Sequence, residues 1–184
     1  MRYEFRPSVL STLITTMKAI EVRTETGALV GTISRGTITG AETAGTFCFE
    51  PEGATPTTVG VGSFSRSWLK RLVRPDYLVR RNEREDRLSD RLGEKLLYFA
   101  VDGRIDSHDY LARQDWDDSV EVKVDGALAA RWNIDDLSGT VTIDADPEGM
   151  IADPASTLFA VTVLLPFMQM IHADESELIE SILE

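Results

Sequence analysis

The stretch from Asp153 to Ile171, DPASTLFAVTVLLPFMQMI, constrains this chain more than any other. Apolar residues fall on every side of a helix drawn through it: Leu158, Phe159, Ala160, Val161, Val163, Leu164, Leu165, Phe167, Met168, Met170 and Ile171. A surface helix carries a polar stripe at a 3.6-residue period; one apolar all round belongs in a protein core or in lipid. Spanning a bilayer takes about 20 predominantly apolar residues with basic flanks. This run reaches that length only by including Ser156, Thr157, Thr162, Pro166 and Gln169, and acids flank it: Asp153 before, Asp174 and Glu175 after. We therefore expect a buried helix with no transmembrane span. Asp153 is its expected cap, with Pro154 at the first helical position and a kink at Pro166.

Such a helix must be covered on all sides, and the rest of the chain is rich in strand signals. Tyr3 and Phe5 alternate with charged residues, and Val9 to Met17 is rich in Thr and β-branched residues. Ala19 to Ile33 predicts a hairpin with Glu25, Thr26 and Gly27 in the loop, Val22 facing Val30 and Ile20 facing Thr32. Further strands are expected at 46–50, 57–64, 96–101, 119–124, 127–132 and 138–144, with turns at Asp102–Gly103 and Asp125–Gly126. For the last hairpin, a two-residue loop sets Val122 against Ala129. A three-residue loop, Val124 to Gly126, sets Val122 against Leu128 and Val120 against Ala130, and is preferred because it keeps the apolar residues with Trp132. The recurring Gly31, Gly36, Gly40 and Gly45 suit a strongly curved sheet.

Residues 64 to 95 differ in character. Between Arg66 and Lys95 lie ten basic and six acidic residues, a local balance of +4, whereas the chain as a whole carries -12 and the remainder therefore -16. Phe64, Trp68, Leu69, Leu72 and Val73 share one helical face, and Asn82 followed by Glu85 reads as a second helix start with Leu88 and Leu92 on its apolar side. A helical insertion over 65–92 is expected, and a short terminal helix over 174–184 capped by Asp174 and Glu177.

The fold class is then α+β, mostly β: one domain over 1–184, a closed antiparallel barrel around a hydrophobic C-terminal helix. Closure covers the helix without leaving bare sheet edges. The alternative, a helix lying on one sheet face, needs the 64–95 helices to cover its other side. This order of elements resembles the tubby C-terminal-like superfamily, in particular its LURP-one-related branch and more distantly the phospholipid scramblases. The resemblance rests on the VRTETGALVGTISRG hairpin, the SGTVTIDAD strand and the DPASTLFAVTVLLPFM helix, and covers residues 1–62 and 96–172. It implies the barrel and the threaded helix. The phosphoinositide site of tubby proteins needs clustered Lys and Arg, whereas the barrel portion here is acidic, so no family site residue is carried over.

Candidate chemistry is sparse. Ser107, His108 and Asp109 are adjacent, and strand neighbours point to opposite faces rather than converging as a triad. His172 follows the helix, where a cation suits the dipole. Two histidines and Cys48, the lone cysteine, cannot complete the usual zinc site. The acidic groups Asp115, Asp117, Asp118, Asp135, Asp136, Asp144, Asp146 and Glu148 lack the twelve-residue calcium pattern. Gly36, Gly40, Gly45, Gly60 and Gly62 form no phosphate loop. We expect no cofactor, no metal and no catalysis.

The candidate partner-binding residues are Trp68, Lys70, Arg71, Arg74, Arg80 and Arg81, suited to acidic lipid or to a protein surface. The net charge makes nucleic acid an unfavourable partner. The N-terminal residues lack a continuous apolar core followed by a cleavage site, so the cytoplasm is the expected location. The functional expectation is a non-enzymatic binding module for a phospholipid or protein. The alternative is an acidic immunity or inhibitor protein that neutralises a basic toxin or nuclease. An enzyme with a site in a barrel mouth ranks last.

Overall fold

A computed structural model describes residues 1–7, 18–62, 76–91 and 98–183, with 172–183 as backbone only. Among them twelve strands close into one antiparallel barrel: β1 (Arg2–Phe5), β2 (Ile20–Thr24), β3 (Leu29–Arg35), β4 (Ala41–Pro51), β5 (Thr57–Gly62), β6 (Asp76–Arg81), β7 (Arg84–Asp90), β8 (Ala100–Ile105), β9 (His108–Gln114), β10 (Val120–Val124), β11 (Ala127–Ile134) and β12 (Val141–Ala145). Each strand pairs with its neighbour in sequence, and β1 closes the ring on β12 with Tyr3 opposite Ile143 and Phe5 opposite Val141. The helix α1 (Thr157–Leu183) enters at one rim, fills the lumen and leaves at the other. Eight strands make a barrel whose own side chains fill it; twelve leave a wider lumen. A helix, about 10–12 Å across with its side chains, suits that space.

Period-2 alternation supplies the wall. Burial alternates along β1, β10 and β12, placing Tyr3, Phe5, Val120, Val122, Val124, Val141, Ile143 and Ala145 inside. On α1 every residue from Thr157 to Met168 is buried, and Gln169 to Ile171 are half-buried at the exit rim. Aromatic rings lock helix to wall: Tyr3 meets Phe159 edge-on at 4.8 Å, Phe5 stacks on Phe167 at 5.8 Å, and Phe47 lies 4.6 Å from Phe167.

The helix start differs from the expected one. Asp153 Oδ1 accepts from Ala155 N at 2.9 Å within a turn, and Ser156 is the cap, its Oγ accepting from Phe159 N at 3.1 Å. Pro154 therefore precedes the helix. At the other end α1 runs unbroken to Leu183 rather than restarting at Asp174. No Pro or Gly interrupts 167–183, so the helical N–H groups there have intrahelical partners and need no new cap.

The largest difference concerns the expected helical insertion. Residues 76–91 form the hairpin β6–β7, while 63–75 and 92–97 lie outside the described residues. Arg80 and Glu85, five residues apart and so on different sides of any helix, face each other across the two strands. Asn82 sits at φ 55 in the turn instead of capping a helix. Tyr77 and Leu88 pair on the inner face, a period-2 signal hidden by the dense charge around it.

Three registers also depart from expectation. In β2–β3, Gly27 takes the left-handed conformation at φ 85, but a bulge after Val22 sets Ile20 against Ile33 and Val22 against Gly31. The expected turn at Asp102–Gly103 is strand; the chain reverses at Asp106–Ser107, both with positive φ. Gly103 faces inward, where a Cβ would meet Leu88 Cδ2 at 2.9 Å. Finally, Asp125 and Gly126 form a two-residue loop with positive φ at both positions, pairing Val124 with Ala127. A bulge then restores the inward phase, so Val122 meets Ala130 and Val120 meets Trp132, while Leu128 is left 53% exposed.

Candidate interaction surface

Because α1 fills the lumen, the places where this barrel can meet another molecule are its rims and outer wall. Polar side chains inside serve the packing. Thr162 Oγ1 donates to Leu158 O at 2.8 Å, so the buried Tyr110 hydroxyl donates to Thr162 Oγ1 at 3.0 Å. Burial pushes the Tyr110 phenol well above its ordinary range. Trp132 Nε1 donates to Gln169 Oε1 at 2.8 Å, near the exit rim.

At the rim where α1 enters, an open recess of about 760 Å³ is lined by Arg81, Asn82, Glu83, Arg84, Asp106 and Thr157. Arg81, in phase with the buried Val79, reaches over the helix start, its Nη1 donating to Thr157 Oγ1 at 3.1 Å. Arg84 bridges Asp86 at 3.1 Å and Asp106 at 3.0 Å. Arg80 lies on the outer wall, 2.9 Å from Glu85, and that hydrogen bond holds the Glu85 carboxyl below its usual range. Of the candidate partner-binding residues, then, Arg80 and Arg81 stand on β6 facing opposite sides of the wall. Trp68, Lys70, Arg71 and Arg74 lie outside the described residues.

The Ser107–His108–Asp109 stretch is divided by the turn. His108 Nδ1 sits 2.7 Å from Asp125 Oδ2, and Asp109 N donates to Asp125 Oδ1 at 2.9 Å, so this cluster ties the β8–β9 turn to the β10–β11 turn. The His108 hydrogen bond, with that from Asp109 N, holds the Asp125 carboxyl low. Asp117, Asp135, Asp144 and Asp146 are likewise engaged. Asp117 accepts from Ser119 Oγ at 2.6 Å and Asp135 from Ser138 N at 2.6 Å; hydrogen bonds from the side chain and then the backbone of Ser119 and of Ser138 hold the two carboxyls low. Asp144 pairs with Arg2 at 2.8 Å, and Asp146 accepts from Glu148 N at 3.1 Å.

The exit rim carries what the sequence reading passed over. The β9–β10 and β11–β12 connections are neighbours, because β10 and β11 pair. Each presents a large apolar side chain outward: Trp116 is 83% exposed and Leu137 is 97% exposed. Asp115, Asp117 and Asp118 surround Trp116 in sequence, and Asp135 and Asp136 precede Leu137. The signal was present in QDWDDS: an apolar side chain among turn-forming Asx residues has no strand phase to carry it inward.

No helix among the described residues is long and apolar enough to cross a membrane. Comparison with protein-family models, with curated proteins and with solved structures finds no match to this chain.

Proposed function

We propose that this chain is a non-enzymatic binding module on the tubby and LURP-one-related plan, engaging its partner through its outer surface. The observation that carries the reading is the occupied lumen. Barrels that hold a small ligand keep an open interior, whereas here Phe159, Val161, Val163, Leu164, Leu165 and Phe167 are fully buried in it. A protein partner accounts for the surface better than anionic lipid does. Arg80, Arg84, Arg91 and Arg104 are each paired with a carboxylate, which leaves little unneutralised positive charge on this part of the wall.

A second reading, an acidic protein that neutralises a basic toxin or nuclease, is favoured by the net charge of -12. Both readings are tested together. Native mass spectrometry of the purified chain should show the chain without a retained small molecule, and a ligand that survives purification would overturn the outer-surface reading. Co-purification with a basic protein, released by raising salt, supports the neutralising form. Pelleting with phosphoinositide vesicles, lost when Arg71 and Arg74 are reversed in charge, would replace both with the lipid form.

A further inference from the structure

We infer that the exit-rim tips bearing Trp116 and Leu137 are the docking surface, and that their occupant is a cationic protein segment carrying apolar side chains. This rests on the binding-module reading above and names its surface and partner chemistry. Three observations carry it. First, Trp116 and Leu137 are the two most exposed large apolar side chains among the described residues, at 83% and 97%, against 53% for Leu128 on the opposite rim. Exposed aromatic and aliphatic side chains held on firm supports are what interface anchors are made of. Secondly, they sit on neighbouring hairpins whose centres lie two strand spacings apart, about 10 Å, a span that one helical or extended segment covers.

Thirdly, the supports are rigid and their charge selects the occupant. Trp116 N donates to Asp115 Oδ1 at 2.8 Å, Asp115 N to Ser119 O at 2.7 Å, and Gln114 Nε2 to Asp118 Oδ1 at 3.1 Å. Across the gap, Gly139 N donates to Asp135 O at 2.7 Å and Ser138 Oγ lies 2.8 Å from Thr140 Oγ1. Five aspartates thus frame two apolar tips. They repel an anionic membrane and a second acidic copy, and they attract Lys and Arg. An arginine drawn in by Asp115, Asp117 and Asp118 meets the indole face of Trp116, the ring best suited to a cation. The apolar residues of the same segment cover Leu137.

The test uses the full chain and a fluorescent amphipathic peptide of arginine and leucine, followed by anisotropy. Binding should be saturable and should weaken between about 50 and about 500 mM salt. Trp116→Ala should weaken it by about tenfold or more, the scale of a truncated anchor, and Leu137→Ala by several-fold. Leu128→Ala, at the opposite rim, should leave it unchanged, and Asp136→Asn should weaken it slightly and flatten the salt dependence. All four positions are exposed, so the variants should keep the parent melting temperature. Equal losses in Trp116→Ala and Leu128→Ala, or Trp116-dependent binding to vesicles of neutral or anionic lipid in preference to the peptide, would overturn the inference. So would a Trp116-dependent dimer in sedimentation. If the peptide does not bind while a basic protein still co-purifies, this surface is wrong and the module reading stands. A small ligand retained in the lumen removes the module reading itself.

Discussion

Two opposite walls of the barrel hold the same helix in different ways. In a ring of twelve strands, β4 and β5 stand opposite β10 and β11. The α1 backbone approaches β4 and β5 most closely. Small residues permit it: Gly45 lies where a Cβ would meet Val61 Cγ2 at 2.9 Å and Ile171 Cδ1 at 3.9 Å. On that side the contacts are ring against ring, Phe47 on Phe167 and Phe49 on Phe159. The far wall stands off and reaches back with long side chains whose tips are polar, Trp132 to Gln169 and, from the adjoining β9, Tyr110 to Thr162. A helix in a round lumen could rotate or slide. Close apolar packing on one side and directional hydrogen bonds on the other fix both its depth and its rotation.

The severest way to break this arrangement strikes both walls at once. Leu164 is fully buried on α1, and Leu164→Asp should abolish soluble folding, since an unpaired buried charge costs several kcal/mol, comparable with a small domain's whole stability. A soluble variant with an unchanged melting temperature would contradict the buried helix. Phe47→Ala opens the near wall and should lower stability by about 3–5 kcal/mol in denaturant titration. Gly45→Ala overfills the same wall, pushing on Val61 and Ile171, and should cost about 1–3 kcal/mol. Tyr110→Phe should cost only about 1 kcal/mol, because Thr162 keeps its bond to the Leu158 carbonyl. If Tyr110→Phe proves as damaging as Phe47→Ala, the contrast between the walls is false.

The smallest effect is pH dependence, and it too separates the walls. Asp117, Asp125 and Asp135, whose carboxyls are held low, belong to the β9–β10, β10–β11 and β11–β12 turns of the far side. A carboxyl with a depressed folded pKa adds stability that is fully present above its unfolded value, about 3.9 for Asp, and is lost as pH falls through the lower folded value. Hydrogen exchange followed from about pH 5 downward should therefore show β9–β12 loosening before β3–β5. Asp125→Asn should flatten the acid limb of the melting curve.

Much of this architecture could be read from residues alone, for a physical reason. An all-apolar helix has few places to go, and alternation such as SVEVKV states its period plainly. The helix, the mostly β wall and most strands follow from those two patterns. Registers were less legible wherever a bulge shifts phase: Val22 against Gly31 and Val122 against Ala130 depend on an extra residue that periodicity does not announce. The β6–β7 hairpin was misread because Asn82 followed by Glu85 matches a helix start, whereas Asn82 at φ 55 serves the two-strand turn and Leu88 pairs with Tyr77. At the surface, attention went to six residues of the basic run, of which Arg80 and Arg81 alone are described. Trp116 and Leu137 drew no reading from the sequence, where they stand among turn-forming aspartates. What singles them out is exposure, a property of the assembled hairpins.

The seam between β1 and β12 has a consequence for how the molecule comes into being. Phe5 meets Val141, so the ring stays open until β12 has been made, and its plug is made after that. Contacts this distant in sequence are slow to form, and an unplugged ring exposes an oily interior to whatever is nearby. A polypeptide ending before Thr157 should accordingly aggregate or be degraded rather than persist as a hollow shell. Loss of the segment after β12 is then as damaging as loss of β1.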